Sequence, residues 1–184
     1  MPLPPPSDPA GPYRIAVVCL GNICRSPIAQ VVLTKALGEA ELDGRVEVYS
    51  AGTGDWHIGQ PMDLRAASTL AAAGYDGSHH RAQRFTRSWH DDHDLILAMD
   101  HSNFRDLQSM APPSEQIEGG RLRMFREFDP EADETDLEVP DPYYDGDDGD
   151  DGFDLVLAIV ERTAANLADR IVQELADPKP PATA

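Results

Sequence analysis

Apolar positions along this chain follow two alternating periods. Ile15–Leu20 is a continuous apolar run of strand length, the pattern of a strand buried on both faces. Pro27–Leu37 then carries helical spacing, with Gly38 near its end; Ser26 is placed to cap it and Pro27 suits the first helical position. Val46–Ser50 alternates as a second strand, closed by Ala51-Gly52, and Asp63–Ala73 is an alanine-rich helix stopped by Gly74. Asp94–Met99 is a third buried strand, His101–Met110 a short helix cut by Pro112-Pro113, and Arg121–Phe125 a fourth strand. In Phe153–Leu175 apolar residues recur at 155, 156, 159, 160, 167, 171, 172 and 175, the stripe of an amphipathic helix.

Strands alternating with helices predict an α/β fold: a four-stranded parallel twisted sheet with helices on both faces. Ligands of such sheets bind beyond the carboxyl ends of the strands, where residues 19–26, CLGNICRS, follow the first strand. The pattern predicts one domain over residues 13–176, with no repeats. The proline-rich start, residues 1–12, and the tail 177–184 read by composition as disordered.

Composition narrows the function. A chain of 184 residues with 41% hydrophobic content can bury a proper core. No stretch approaches the ~20 apolar residues of a membrane span, and the N-terminus lacks the basic start and apolar core of a signal peptide, so a cytoplasmic location is expected. Two cysteines five positions apart make no disulfide framework, and no second Cys/His pair completes a zinc site, so neither metal nor cofactor is expected. A net charge of −18 speaks against nucleic acid and anionic membranes. Residues 127–154 hold 14 of the 33 carboxylates and no Lys or Arg. Within them DGDDGDDG, residues 145–152, fits no calcium-loop register; its charge is expected to disfavour acidic ligands. The run WHDDHD, residues 89–94, is expected to lead into the third strand from the surface rather than to bind metal.

CLGNICRS can be read as chemistry. Gly21 adopts positive φ freely and Asn22 tolerates it, and such a turn aims successive N–H groups inward as an anion nest. The helix starting at Pro27 adds its positive end, and Arg25 a planar fork for two phosphate oxygens. Leu20, Gly21, Asn22, Ile23, Cys24, Arg25 and Ser26 therefore form the candidate phosphate-binding loop, with Cys19 at its base. The same donors would stabilise a thiolate, lowering the thiol pKa of Cys19 and making it an in-line nucleophile, with Ser26 donating to the sulfur. A phosphocysteine intermediate is the expected product.

Four stretches together, CLGNICRSPIAQ (19–30), SAGTGDWHIGQP (50–61), MDHSNFRDL (99–107) and DPYY (141–144), resemble the low-molecular-weight protein tyrosine phosphatases over about residues 13–176. The resemblance implies a flavodoxin-like fold of the phosphotyrosine protein phosphatase I kind. It implies Asp141 as general acid and base, with Cys19 and Arg25 completing the catalytic set. It further implies Trp56, Tyr143 and Tyr144 as walls of the substrate cleft, Ser50 and His80 as supports of Asn22, and Cys19–Cys24 as a redox pair. Phosphotyrosine proteins are the implied partners, with a cognate tyrosine kinase as counterpart, and the chain is expected as a monomer or weak dimer. Rival readings are an arsenate reductase, which needs cysteines beyond Cys24 that this chain lacks; a protein arginine phosphatase, for which Thr is expected in place of Ile23; and a non-catalytic phosphopeptide-binding module, which has no need of Cys19, Arg25 and Asp141 together.

Overall fold

A computed structural model describes residues 2–112, 120–144 and 150–176. The expected strand–helix alternation is present: β1 (Tyr13–Cys19), α1 (Arg25–Glu39), β2 (Val46–Gly52), α2 (Leu64–Ala72), α3 (Trp89–Asp92), β3 (Leu95–Ala98), α4 (His101–Met110), β4 (Leu122–Met124), a 3₁₀ turn (Phe125–Phe128) and α5 (Asp150–Ala176). The four strands form one parallel sheet in the order β2-β1-β3-β4. The chain passes from β1 to β2 on one side and then crosses back to β3 on the other side of β1, so the loop after β1 opens at the point where strand order reverses.

Alternate residues of β1 feed two cores. Ile15, Val17 and Cys19 face a layer containing Ile28, Leu33, Phe153 and Val160 of α1 and α5. Ala16 and Val18 face a smaller layer with Phe85, Ile96 and Leu107. Burial on both faces is why β1 and β3 read as unbroken apolar runs rather than as alternating ones. Among the described residues, no helix is long and apolar enough to cross a membrane.

Three expectations are corrected. Residues 2–12 pack against the body instead of trailing as a disordered tail. Leu3 is 8% exposed, its N–H donates to Glu174 of α5, and Arg123 donates to the Pro2 carbonyl. Tyr13 Oη donates to Pro4 O at 3.1 Å, and the N–H and hydroxyl of Ser7 both donate to Asp94. Proline-rich composition reports the chain's extended habit, but one buried leucine and five donors anchor it. The run 89–94 does not enter β3 from the surface: Trp89–Asp92 is a helical turn, and His90 and His93 are buried. His90 Nε2 meets the Leu107 carbonyl, and the His93 ring stacks on Trp89 with centroids 4.6 Å apart. Lastly, α1 starts at Arg25 rather than Pro27, with Cys24 at the capping position. The tail 177–184 and most of the acidic run 145–152 lie outside the described residues.

Candidate active site

The loop between β1 and α1 lies directly on the end of β2. A Cβ at Gly52 would stand 2.7 Å from Leu20 O and 3.2 Å from Asn22 N, so only glycine lets the loop settle there. The Thr53 and Gly54 amides then donate to the carbonyls of Cys19 and Leu20 at 2.9 Å. Within the loop the left-handed residue is Asn22, with φ of 55°, and not Gly21, whose φ is not positive. Asn22 pays for this conformation with hydrogen bonds on every side. Its Nδ2 donates to Ser26 Oγ at 2.9 Å and Ser50 Oγ at 3.0 Å, and its Oδ1 accepts from Gln83 N at 2.8 Å. The Asn22 carbonyl stands 2.7 Å from His80 Nε2. Burial lowers the His80 pKa despite that contact, so the ring is neutral and its Nε2–H is the donor. Ser50 and His80 thus both bond to Asn22; Gln83, and Gln30, which accepts from Ser50 Oγ at 2.6 Å, were not foreseen.

Ser26 does not cap α1. Its hydroxyl lies 3.0 Å from Cys19 Sγ and 3.3 Å from the Ala51 carbonyl, while Asn22 N donates to the same sulfur at 3.3 Å. The sulfur therefore sits between a hydroxyl and a backbone N–H that donates to it. Asn22 and Ser26 are fully buried behind the loop. Leu20, Gly21, Ile23, Cys24 and Arg25 line a cavity of about 240 Å³ in front of it, with Cys19 at its base.

Arg25 reaches into that cavity from the first turn of α1, 3% exposed. Its Nη1 donates to Asp100 Oδ2 at 2.7 Å and to the Val139 carbonyl at 3.2 Å, and its Nη2 to Asp141 Oδ2 at 2.8 Å. Burial works against the charge, but the Cys19 sulfur, Asp141 and Asp100 outweigh it and leave the Arg25 pKa raised. Asp100 is itself aimed by capping α4, where its Oδ1 accepts from Asn103 N at 2.7 Å. The sequence offered Asp100 only as part of MDHSNFRDL. Its pairing with Arg25, 75 positions earlier, has no local signal.

Asp141 is 29% exposed along its side chain. Its segment is tied down by Val139, whose N–H donates to Met99 O at 2.8 Å. Opposite the loop, Trp56, Tyr143 and Tyr144 wall the same cavity, joined by His57, which sequence reasoning missed. Trp56 and Tyr144 are 67% and 75% exposed, so they form an open rim for a flat group rather than part of the core. Cys24 also lines the cavity and is a free thiol; burial first, then Asp63 and the Cys19 sulfur, push its pKa well up. Among the described residues, no cluster of three or more His, Cys, Asp or Glu side chains could hold a metal ion.

A parallel α/β sheet with a Cys-x5-Arg loop at its reversal point, two carboxylates on the arginine and an aromatic cleft defines a cysteine-dependent phosphohydrolase. The particular family follows from comparison with known proteins. The family model for low molecular weight phosphotyrosine protein phosphatase matches residues 14–177, and the chain belongs to that family. It is 40% identical over 163 residues to the low molecular weight protein-tyrosine-phosphatase of Streptomyces coelicolor, covering 89% of this chain and 96% of that one. It is 41% identical over 165 residues to low molecular weight protein-tyrosine phosphatase A of Mycobacterium tuberculosis, covering 90% and 95%. Among solved structures, YfkJ of Bacillus subtilis superposes with a TM-score of 0.80 at 29% identity, covering 91% of this chain and 99% of that one. A protein tyrosine phosphatase from Entamoeba histolytica, with Hepes in its active site, superposes with a TM-score of 0.79 at 32% identity, covering 88% and 97%.

Proposed function

We propose that this protein hydrolyses phosphotyrosine in proteins through a phosphocysteine intermediate. The observation that carries the reading is the convergence of Cys19, Arg25 and Asp141 on one aromatic-walled cavity. Cys19 Sγ attacks phosphorus in line; the S–P bond forms as the bond to the phenolic oxygen breaks, and Asp141 gives its proton to that oxygen. Arg25 and the loop hold the three equatorial oxygens, where phosphoryl transfer concentrates charge. Asp141, now a carboxylate, then takes a proton from water as that water attacks phosphorus. The S–P bond breaks, inorganic phosphate leaves and the Cys19 thiolate is restored. Arginine and backbone donors supply the charge stabilisation, so the scheme uses no metal or cofactor.

The same reading takes phosphotyrosine proteins as substrates and a cognate tyrosine kinase as the opposing activity, with a monomer or weak dimer acting in the cytoplasm. Cys24 enters as a redox partner. A peroxide oxidises the Cys19 thiolate to the sulfenic acid, and the Cys24 thiol displaces water from it to close a disulfide.

A protein arginine phosphatase remains the second reading, since the loop and acid would serve it equally. Ile23 at the cavity and the paired Tyr143 and Tyr144 favour a flat phenyl ring. The test is phosphate release from a phosphotyrosine peptide beside a phosphoarginine peptide, without metal, for wild type, Cys19→Ser and Asp141→Ala. Faster release from phosphotyrosine, none with Cys19→Ser and slow release with Asp141→Ala are expected. Preference for phosphoarginine overturns the substrate assignment, and peptide binding without turnover overturns the enzyme reading.

A further inference from the structure

An unbroken series of contacts joins the phosphate loop to Asp141, and Arg65 stands in its middle. The Ile23 carbonyl accepts from Asp63 N at 2.9 Å. Asp63 caps α2, and its carboxylate accepts from the backbone N–H of Arg65 at 2.9 Å and from Arg65 Nε and Nη2 at 3.2 Å each. Held at two points, the guanidinium reaches across to two rings, with its central carbon 5.6 Å from the Tyr143 centroid and 4.9 Å from that of Phe153 on α5. Tyr143 N in turn donates to Asp141 Oδ1 at 3.1 Å.

Asp141 is therefore secured on both sides. Two residues before it, Val139 is buried and bonded to Met99. Two residues after it, Tyr143 is 42% exposed and leans on Arg65. Asp141 also rests on Arg25 Nη2, but a bound phosphate claims that nitrogen. Once it does, the Tyr143 side is what keeps the carboxyl from swinging away from the leaving oxygen.

We propose that Arg65 is a positioning residue for the reaction: anchored to the phosphate loop through Asp63, its guanidinium holds the Tyr143 ring and so sets where Asp141 meets the leaving oxygen. The inference rests on Asp141 being the general acid, as proposed above. Arg65 lies 76 positions before Asp141 in the chain and touches neither substrate nor sulfur in this scheme. Its effect is confined to proton delivery, where a misplacement of about 1 Å can cost on the order of 10²-fold.

Proton delivery has its own signature. An aryl phosphate with a good leaving group departs without much help, whereas one with a poor leaving group needs the acid. The experiment is kcat/KM across aryl phosphates from dinitrophenyl to unsubstituted phenyl, for wild type, Arg65→Met, Arg65→Lys and Asp141→Ala, with inorganic phosphate as competitive inhibitor. Asp141→Ala should steepen the dependence on leaving-group pKa. Arg65→Met should steepen it part of the way, losing roughly tenfold on phenyl phosphate and less than about twofold on the dinitrophenyl ester, with phosphate inhibition unchanged. Arg65→Lys should recover part of the loss, because a cation over the ring is kept and the two-point hold on Asp63 is not.

Equal losses for every leaving group, or weaker phosphate binding with an unchanged slope, would assign Arg65 a merely structural part and overturn the inference. If Asp141→Ala leaves the slope unchanged, the acid assignment itself falls and takes the inference with it. Should Arg65→Met fail to fold, Tyr143→Leu removes the other end of the contact. It should steepen the slope in the same way, and a flat response there overturns the proposal.

Discussion

The guanidinium of Arg25 holds the carboxylate of Asp141 at 2.8 Å, so the proposed phosphate clamp is bonded to the proposed acid. A phosphate and Asp141 compete for the same nitrogen. Asp141→Asn should thus tighten competitive inhibition by inorganic phosphate roughly three- to tenfold, the scale of about 1 kcal/mol for a part-exposed ion pair. It should slow turnover of phenyl phosphate on the order of 10²-fold or more. Opposite signs in the two constants are the decisive result; phosphate inhibition that weakens would show that the pair does not compete with ligand.

Asn22 combines a left-handed backbone with three side-chain hydrogen bonds. Asn22→Ala keeps the unfavourable φ and loses those bonds. It should destabilise the fold by about 4–5 kcal/mol, summing about 1 kcal/mol per lost bond and ~1–2 kcal/mol of strain. Asn22→Gly should recover the strain portion. Ser50→Ala, which removes one acceptor for Asn22 and one donor to Gln30, should cost about 1–2 kcal/mol. Urea unfolding of the three variants measures the order.

Burial lowers the His80 pKa, which gives the loop a pH dependence. A depressed imidazole pKa means the unfolded chain binds the proton more readily, so stability rises with pH across the gap. The contribution of neutral His80 is complete above the unfolded value of about 6.5 and is lost as pH falls from there through the lowered folded value. His93 is lowered by burial in the same way. Stability measured from pH 8 to pH 5 should decline below about 6.5, and His80→Gln should flatten part of that decline. An unchanged slope in His80→Gln would place the dependence elsewhere.

The N-terminal arm offers a separation of stability from activity. It binds Asp94, Tyr13 and Glu174 at the amino ends of β3 and β1 and the far end of α5, away from the carboxyl-end cavity. Leu3→Ala should cost about 2 kcal/mol, and a chain starting at Tyr13 should lose more, because the buried Asp94 carboxylate also loses two donors. Turnover per folded molecule should stay within about twofold. A larger change in kcat/KM would mean that the arm reaches the site.

Most of the framework was legible along the chain because it is local. Strand burial on both faces writes itself as apolar runs, helices write a 3.6-residue stripe, and Cys19, Asn22 and Arg25 lie within seven residues of one another. The parallel α/β class and the position of the loop at a strand end both follow from such short-range facts. Boundaries moved where a side chain found a better partner than the one its neighbours offered: Ser26 turned to the sulfur, and α1 began two residues earlier, at Arg25.

What only the tertiary structure decided is long-range pairing. Asp100 and Val139 meet Arg25, Gln83 meets Asn22, Leu3 meets α5, and Arg65 lies against Tyr143. Each joins elements that no periodicity relates. A charge, an amide or a leucine carries no mark of which distant partner will satisfy it. The sheet order supplies that answer, by bringing the ends of β1, β2 and β3 to one place and setting the chain's scattered polar groups within hydrogen-bonding distance.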